Sequence, residues 1–270
     1  MPRRPVDPHR FWRDPGLPHL EAREVSNGRA TCYDPHSHPT FSIGAITGGQ
    51  NEFRIGGARH EVAAGAVVLM NPDEVHACNP LGDLPWSYRM LYVDPGWLAE
   101  VQERAEFQPL GPAVSTSPAL HAALNRLFDV LFDATTGAPA KNDAATAFFA
   151  ALDGRLAGKD EGTAGHLALS RAADFIAMNC TRPLRLEEIA EASGLSPSYL
   201  VRAFKARYGL TPHAYQTNRR IRFGQQELRR GRPIVEVALE AGFADQAHFQ
   251  RVFKRHVAAT PGQYAGATPT

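Results

Sequence analysis

The stretch "HSHPT", residues 36 to 40, places two imidazoles two positions apart, and a third histidine, His76, follows inside "NPDEVHACNP". On an extended chain, side chains at i and i+2 share a face, so His36 and His38 are expected to point together. Three histidines that meet in space can hold zinc or iron and leave coordination positions open for chemistry. They can equally hydrogen-bond a polar ligand in a pocket, or serve a structural role at its mouth. The choice depends on the elements that position them and on the purpose of the rest of the chain.

From about residue 30 to 93 the chain is cut into short β-prone pieces. "FSIGAIT", "EFRI", "ARHEV", "AVVLM" and "SYRMLYV" are separated or closed by "GGQN", "GG", "NPDE" and "DPG". Strands of this length with glycine-bearing turns predict an all-β sandwich or small barrel, and a barrel is the preferred form. The period then changes. In "PALHAALNRLFDVLFDA", Leu120, Leu124, Leu127, Phe128 and Leu131 recur as on one face of a helix. "AATAFFAALDGRLAG" resumes the helical pattern after a break. This pair of helices either caps the barrel or packs against a second copy, and a homodimer is expected. "GKDEGTAG" reads as a linker.

Beyond it the chain repeats itself. "EIAEASGLSPSYLVRAFK" at 188 to 205 and "EVALEAGFADQAHFQRVFK" at 236 to 254 begin 48 residues apart. Each has a short helix with Ala190 or Ala238, a turn glycine at Gly194 or Gly242, and a second helix anchored by Leu200 and Phe204 or Phe249 and Phe253. Helix, tight glycine turn, helix is the unit whose second helix enters the DNA major groove. Ser196, Thr211 and Asp245 are expected to cap the helices that follow them, with Pro197 and Pro212 at the first helical positions. Rotating 100° per residue from the buried anchors exposes Ser198, Val201, Arg202 and Lys205 on the first copy, and Ala247, Gln250, Arg251 and Lys254 on the second, with Gln246 at its leading edge. Arg202 and Arg251 suit guanine, Gln250 suits adenine, and Lys205 and Lys254 suit phosphates. "TPHAYQTNRRIRFGQQELRR" reads as a connecting helix with Ile221, Gly224 and Leu228 facing inward. Heads entering successive major grooves sit about 34 Å apart, and some bending of the site is expected.

Charge supports this division. From residue 165 onward there are 15 Lys and Arg against 8 Asp and Glu, whereas the first 164 residues hold 14 against 20. A basic module that meets a polyanion, joined to an acidic one, fits such a split. At 270 residues the chain is long enough for two modest domains. Apolar runs such as "AVVLM" fall far short of the roughly 20 residues that span a bilayer, so no membrane role is expected. The opening "MPRRPVDPHRFWRDPGLP" has no apolar signal segment and reads as an irregular lead-in, so a cytoplasmic location is expected. Cys32, Cys78 and Cys180 form no CxxC pair and suggest no disulfide framework.

The repeat region, roughly 170 to 264, resembles the AraC/XylS family of bacterial transcription regulators, most closely in "EVALEAGFADQAHFQRVFKRHVAATPGQY". The region from about 30 to 95 is similar to the cupin-like effector-binding domain often fused in front of it, through "HSHPTFSIGAITGG", "GAVVLMNPDEVHACN" and "WSYRMLYVD". The resemblance implies a regulator that senses a small molecule in the barrel and activates or represses transcription, with RNA polymerase as a partner if it activates. It assigns base reading to Ser198, Val201, Arg202, Gln246, Ala247, Gln250 and Arg251, in agreement with the rotation. Three departures stand out: Ala258 replaces a glycine after the second recognition helix, Arg185 replaces a capping Ser or Thr, and Gln216 replaces an apolar residue.

The expected architecture is α+β and multidomain. An irregular lead-in (1–29) precedes a cupin-like effector-binding barrel (30–110), a helical dimerisation or cap segment (115–157), a linker (158–166) and an all-α domain with two helix-turn-helix units (167–270). Cupin enzymes add a Glu shortly after the HxH pair, and here Pro39, Thr40, Phe41, Ser42, Ile43 and Gly44 follow instead. The histidines are therefore read as one wall of an effector pocket, with Phe41, Arg54, Trp86 and Tyr88 as further lining residues. A small polar or acidic effector is expected, with no catalytic residues and no cofactor. The alternative is a metal-dependent cupin enzyme or metal sensor with a DNA-binding domain, in which His36, His38 and His76 hold the metal.

Overall fold

The computed structural model describes residues 9–28, 32–82, 85–153 and 166–266. Nine strands come first: β1 (His9–Arg13), β2 (Leu20–Val25), β3 (Phe41–Gly48), β4 (Gln50–Ile55), β5 (Ala58–Ala63), β6 (Val67–Met70), β7 (His76–Pro80), β8 (Ser87–Val93) and β9 (Val114–Ser115). They form a six-stranded sheet in the order β1-β2-β8-β3-β6-β9 and a three-stranded sheet in the order β5-β4-β7. Every pairing is antiparallel. The irregular lead-in expected over 1–29 is corrected here. Among its described residues, β1 and β2 pair with each other, and β2 continues onto β8, so this segment is part of the larger sheet. Sequence reading passed over "LEAREV" because its buried positions include charged residues, Glu21 and Arg23, that a simple alternation does not predict.

Strand β3 is buried on both faces, and its two-residue period decides which core each side chain serves. Phe41, Ile43 and Ala45 join one core with Leu124, Phe128 and Phe149, while Ile46 joins a second with Phe53, Val68, Trp86 and Met90. The first core lies beneath α1 (Pro95–Val101), α2 (Pro118–Phe132) and α3 (Ala138–Asp153). The second lies between the sheets. The expected linker over 158–166 falls outside the described residues except for His166.

The remaining helices are α4 (His166–Met178), α5 (Leu186–Ser193), α6 (Pro197–Tyr208), α7 (Pro212–Arg229), α8 (Ile234–Glu240), α9 (Gln246–Val257) and α10 (Pro261–Ala265). They build two small cores, one holding Ile189, Leu200 and Phe204 and the other Val237, Phe249 and Phe253. Helix α7 contributes to both, through Tyr215 and through Ile221 and Leu228. Gly224 on α7 lies against the Phe249 ring, where an added Cβ would sit 2.8 Å away, so its lack of a side chain lets α7 and α9 close together. Truncating Phe249 or Phe253 to Ala is expected to cost about 3–5 kcal/mol, since both are fully buried.

The helix starts differ in how they are capped. Thr211 Oγ1 accepts from the Ala214 N–H at 3.3 Å, and Asp245 Oδ1 accepts from the His248 N–H at 2.6 Å. Ser196 occupies the N-cap of α6 with no side-chain capping bond, contrary to the sequence expectation. The departures from the family pattern are also accommodated. At Arg185 the backbone N–H donates to the Glu188 carboxylate at 2.8 Å, which anchors the start of α5. Gln216 is buried and donates to the carbonyls of Cys180 and Arg182, joining α7 to the loop before α5. Ala258 adopts the left-handed conformation, φ 54° and ψ 20°, at the C-terminus of α9. That conformation costs a non-glycine residue about 1 kcal/mol.

Candidate effector pocket and nucleic-acid interface

The "HSHPT" segment lies outside the strands, so the predicted strand alternation does not position its histidines. His36 instead forms an isolated antiparallel bridge with His76, the two exchanging backbone hydrogen bonds of 3.0 and 2.9 Å. The three rings nevertheless gather: centroids lie 4.5 Å apart for His36 and His76, 4.7 Å for His38 and His76, and 6.2 Å for His36 and His38. Each Nδ1 meets a backbone carbonyl, of Asp34 at 2.8 Å, Thr40 at 3.1 Å and Glu74 at 2.8 Å respectively. A carbonyl only accepts, so each Nδ1 carries the proton and each Nε2 keeps its lone pair. Burial, with the neighbouring imidazoles adding to it, pushes His38 and His76 down to about 3 and holds His36 well below its ordinary value. All three are neutral at pH 7.

Neutral imidazoles with free lone pairs are the form that binds metal. Among the described residues, however, no group of three His, Cys, Asp or Glu is arranged to hold a metal ion. The Nε2 lone pairs of His36, His38 and His76 can accept hydrogen bonds from a ligand's donors.

Two chambers meet at these histidines. The inner one, about 30 Å³, lies between the sheets and is lined by His76, Phe53, Trp86, Tyr88 and Met90. Trp86 stacks on Tyr88 at 4.5 Å, and its buried indole N–H has no partner. The outer chamber, about 120 Å³, lies between the barrel and the DNA-binding helices. Arg23 from β2, Asn218, Arg222 and Arg229 from α7, and His256 and Val257 at the end of α9 line it. Tyr33, His36, His38 and Tyr92 line both chambers.

Two predicted lining residues are misplaced. Phe41 faces the other core, against Phe107 and Phe149, because strand alternation directs it toward the helices. Arg54 points outward from β4, half exposed, and pairs with Glu52. Sequence reading missed Arg23, Tyr33 and Tyr92, and the contribution of α7 and α9 to the outer chamber. A pocket assembled across two domains leaves no local pattern.

The same boundary ties the domains together. Ser37, between the two histidines, accepts from Asn218 Nδ2 at its carbonyl and its hydroxyl, at 3.2 and 3.0 Å. Arg222 pairs with Asp73 at 2.6 Å, and Arg229 pairs with Glu21. At the end of α9, Arg23 donates to the Val257 carbonyl at 2.6 Å, and Arg255 pairs with Asp34 at 2.7 Å. Side chains that contact the pocket thus share a segment, or a bond, with helices of the DNA-binding domain.

On α6, Ser198, Arg202 and Lys205 are exposed and Val201 is half-buried; on α9, Ala247, Arg251 and Lys254 are exposed, with Gln246 and Gln250 half-buried. The buried anchors Leu200 and Phe204, and Phe249 and Phe253, take the opposite faces.

A ligand-sized recess joined to two helix-turn-helix units defines a ligand-responsive DNA-binding regulator. Residues 17–152 match the family described as AraC-like ligand binding domain, and residues 189–267 match the helix-turn-helix domain family. The chain belongs to the AraC family of transcription regulators. It is 26% identical over 250 residues to the HTH-type transcriptional regulator YbfI of Bacillus subtilis, covering 87% of each chain. A shorter match, 36% identical over 80 residues, joins it to the HTH-type transcriptional regulator MtrA of Neisseria gonorrhoeae and takes in 29% of this chain and 27% of MtrA. Its fold is that of ToxT from Vibrio cholerae. The apo form aligns with a TM-score of 0.61 at 14% identity over 91% of this chain and 96% of ToxT, and the unsaturated fatty acid bound form with 0.59 at 13% over 93% and 96%.

Proposed function

We propose that this DNA-binding regulator reads successive major grooves with Ser198, Val201, Arg202 and Lys205 on α6 and with Gln246, Ala247, Gln250, Arg251 and Lys254 on α9. The observation that carries this reading is the repeat itself: two helices of the same form, each burying two apolar anchors and presenting Arg and Lys at matching positions on the other face. Its N-terminal domain senses a small polar or acidic molecule at the junction of the two chambers, with His36, His38, His76, Trp86 and Tyr88 among its contacts. ToxT, a protein of the same fold, holds an unsaturated fatty acid, which supports an acidic effector. The effector alters regulation by favouring one arrangement of barrel and reading heads over another.

The same reading makes the protein a cytoplasmic homodimer through α2 and α3 that meets RNA polymerase where it activates, and assigns it no catalysis. No helix among the described residues is long and apolar enough to cross a membrane. The test is an electrophoretic shift on DNA upstream of its own gene at fixed salt. Arg202→Ala and Arg251→Ala are each expected to lose about 1–3 kcal/mol of specific binding. Unchanged specific binding by both variants would sink the proposed reading faces.

A further inference from the structure

Among the arginines that line the outer chamber, Arg23 is the one that no described carboxylate contacts. Arg222 there faces Asp73, and Glu21 is committed to Arg13 and Arg229. Arg23 is fully buried on β2, and its bonds go to neutral groups: Nη1 donates to the Val257 carbonyl at 2.6 Å, Nη2 to His9 Nδ1 at 3.0 Å, and the Tyr92 hydroxyl lies within hydrogen-bonding reach of the guanidinium. Its Nε has no partner. A charge taken out of water is costly unless it is paired and fully hydrogen-bonded, so this guanidinium is an incomplete site.

The shape of the gap identifies what completes it. Nε and Nη2 share one edge of the planar guanidinium, and that edge accepts a carboxylate through two parallel hydrogen bonds. Nη1, on the other side, stays with Val257. The outer chamber, about 120 Å³, approaches the roughly 150 Å³ of a cavity known to take up benzene. Tyr33 and Tyr92, which line both chambers, lead from it to the apolar wall of Phe53, Trp86 and Met90. The neighbouring imidazoles of His36 and His38 offer no competing positive charge.

We infer that Arg23 anchors the carboxylate of a small carboxylic acid, up to about the size of benzoate, whose apolar body lies toward the inner chamber. The inference rests on the reading of the barrel mouth as an effector site and names the effector's class and its anchor. It has a mechanical consequence. The guanidinium fixed by the acid is the one whose remaining arm holds the last residue of α9, so occupancy and docking of the second reading head are coupled through one side chain.

The experiment uses the full chain with benzoate, phenylacetate and hexanoate, each paired with its neutral primary amide, in thermal-shift and calorimetric titrations. At least one acid is expected to bind about tenfold or more tightly than its amide, and Arg23→Gln to remove that difference. Because Arg23→Gln removes a buried bond and could unfold the barrel, hydrogen exchange of the unaltered protein supplies an independent readout. Amides of residues 254–260 are expected to exchange more slowly with the acid than without it. Acids and amides that bind alike, acid binding that survives Arg23→Gln, or unchanged exchange at 254–260 would each overturn the inference. Failure of the broader reading looks different. If a neutral sugar or a cation binds and Trp86→Ala abolishes it, the effector pocket stands and the role of Arg23 falls. If none of the acids, amides, sugars and cations binds, the effector pocket falls with it.

Discussion

Helices α5 and α6 repeat the form of α8 and α9, yet the two units meet the barrel by different chemistry. The end of α6 rests on an apolar contact: Val75, in the loop after β6, packs with the first unit's core and lies against Gly209. The end of α9 is held by charge and hydrogen bonds, from Arg23 to Val257 and from Arg255 to Asp34. An apolar contact is insensitive to a small polar ligand. A guanidinium and a carboxylate beside the outer chamber are not, so under the proposed function the second unit is the one expected to carry a ligand's presence to the DNA-reading surface.

The largest difference between the two units is expected at their turn glycines. Gly194 and Gly242 both adopt positive φ, 70° and 79°, but their surroundings differ. A Cβ at Gly242 would sit 2.1 Å from the Thr181 carbonyl oxygen, whereas at Gly194 the nearest atom is the end of Arg171, 3.9 Å away. Gly242→Ala is therefore expected to cost about 3 kcal/mol or more, combining backbone strain with a backbone clash, and Gly194→Ala about 1 kcal/mol. Urea denaturation measures both, and equal losses would show that the two turns are not differently packed.

Next in size is the pH dependence carried by the three histidines of the barrel. His36, His38 and His76 are held below the ordinary value near 6.5, two of them at about 3. Unfolding then binds protons between those limits, so their contribution to stability is complete above pH 6.5 and is lost as pH falls through the window. Uptake of about one to three protons on unfolding at pH 5 is expected, and replacing His38 and His76 with Gln should remove most of it. No uptake would mean that the histidines are not buried as neutral groups.

Smaller effects sharpen the contrast between the helix ends. Ala258→Gly is expected to stabilise the protein by about 1 kcal/mol by relieving the left-handed strain after α9. Arg255→Ala removes a largely exposed ion pair and is expected to cost less than about 1 kcal/mol in urea denaturation. A larger loss would make that pair a principal fastening of α9.

These differences also mark the reach of the sequence. The repeat, its anchors and its exposed Arg and Lys were legible because helix periodicity and the glycine turn are local, and Ala258 betrayed its strained conformation by replacing a glycine. The gathering of His36, His38 and His76 was legible from spacing, although a backbone bridge and not a strand produces it. Phe41 was misassigned because both faces of β3 are buried and the choice between them is tertiary, and Arg54 because on β4 it alternates with the buried Phe53 and Ile55 and so takes the outer face. Arg23 escaped because a buried arginine whose partners include Val257 and His9 has no signature in the residues around it.

A footprint of the full chain on DNA upstream of its own gene reads the two DNA-reading heads directly. Two protected segments about 10 base pairs apart are expected, with Arg202→Ala weakening one and Arg251→Ala weakening the other. A single protected segment, or a pattern that neither variant changes, would contradict the assignment of two DNA-reading heads.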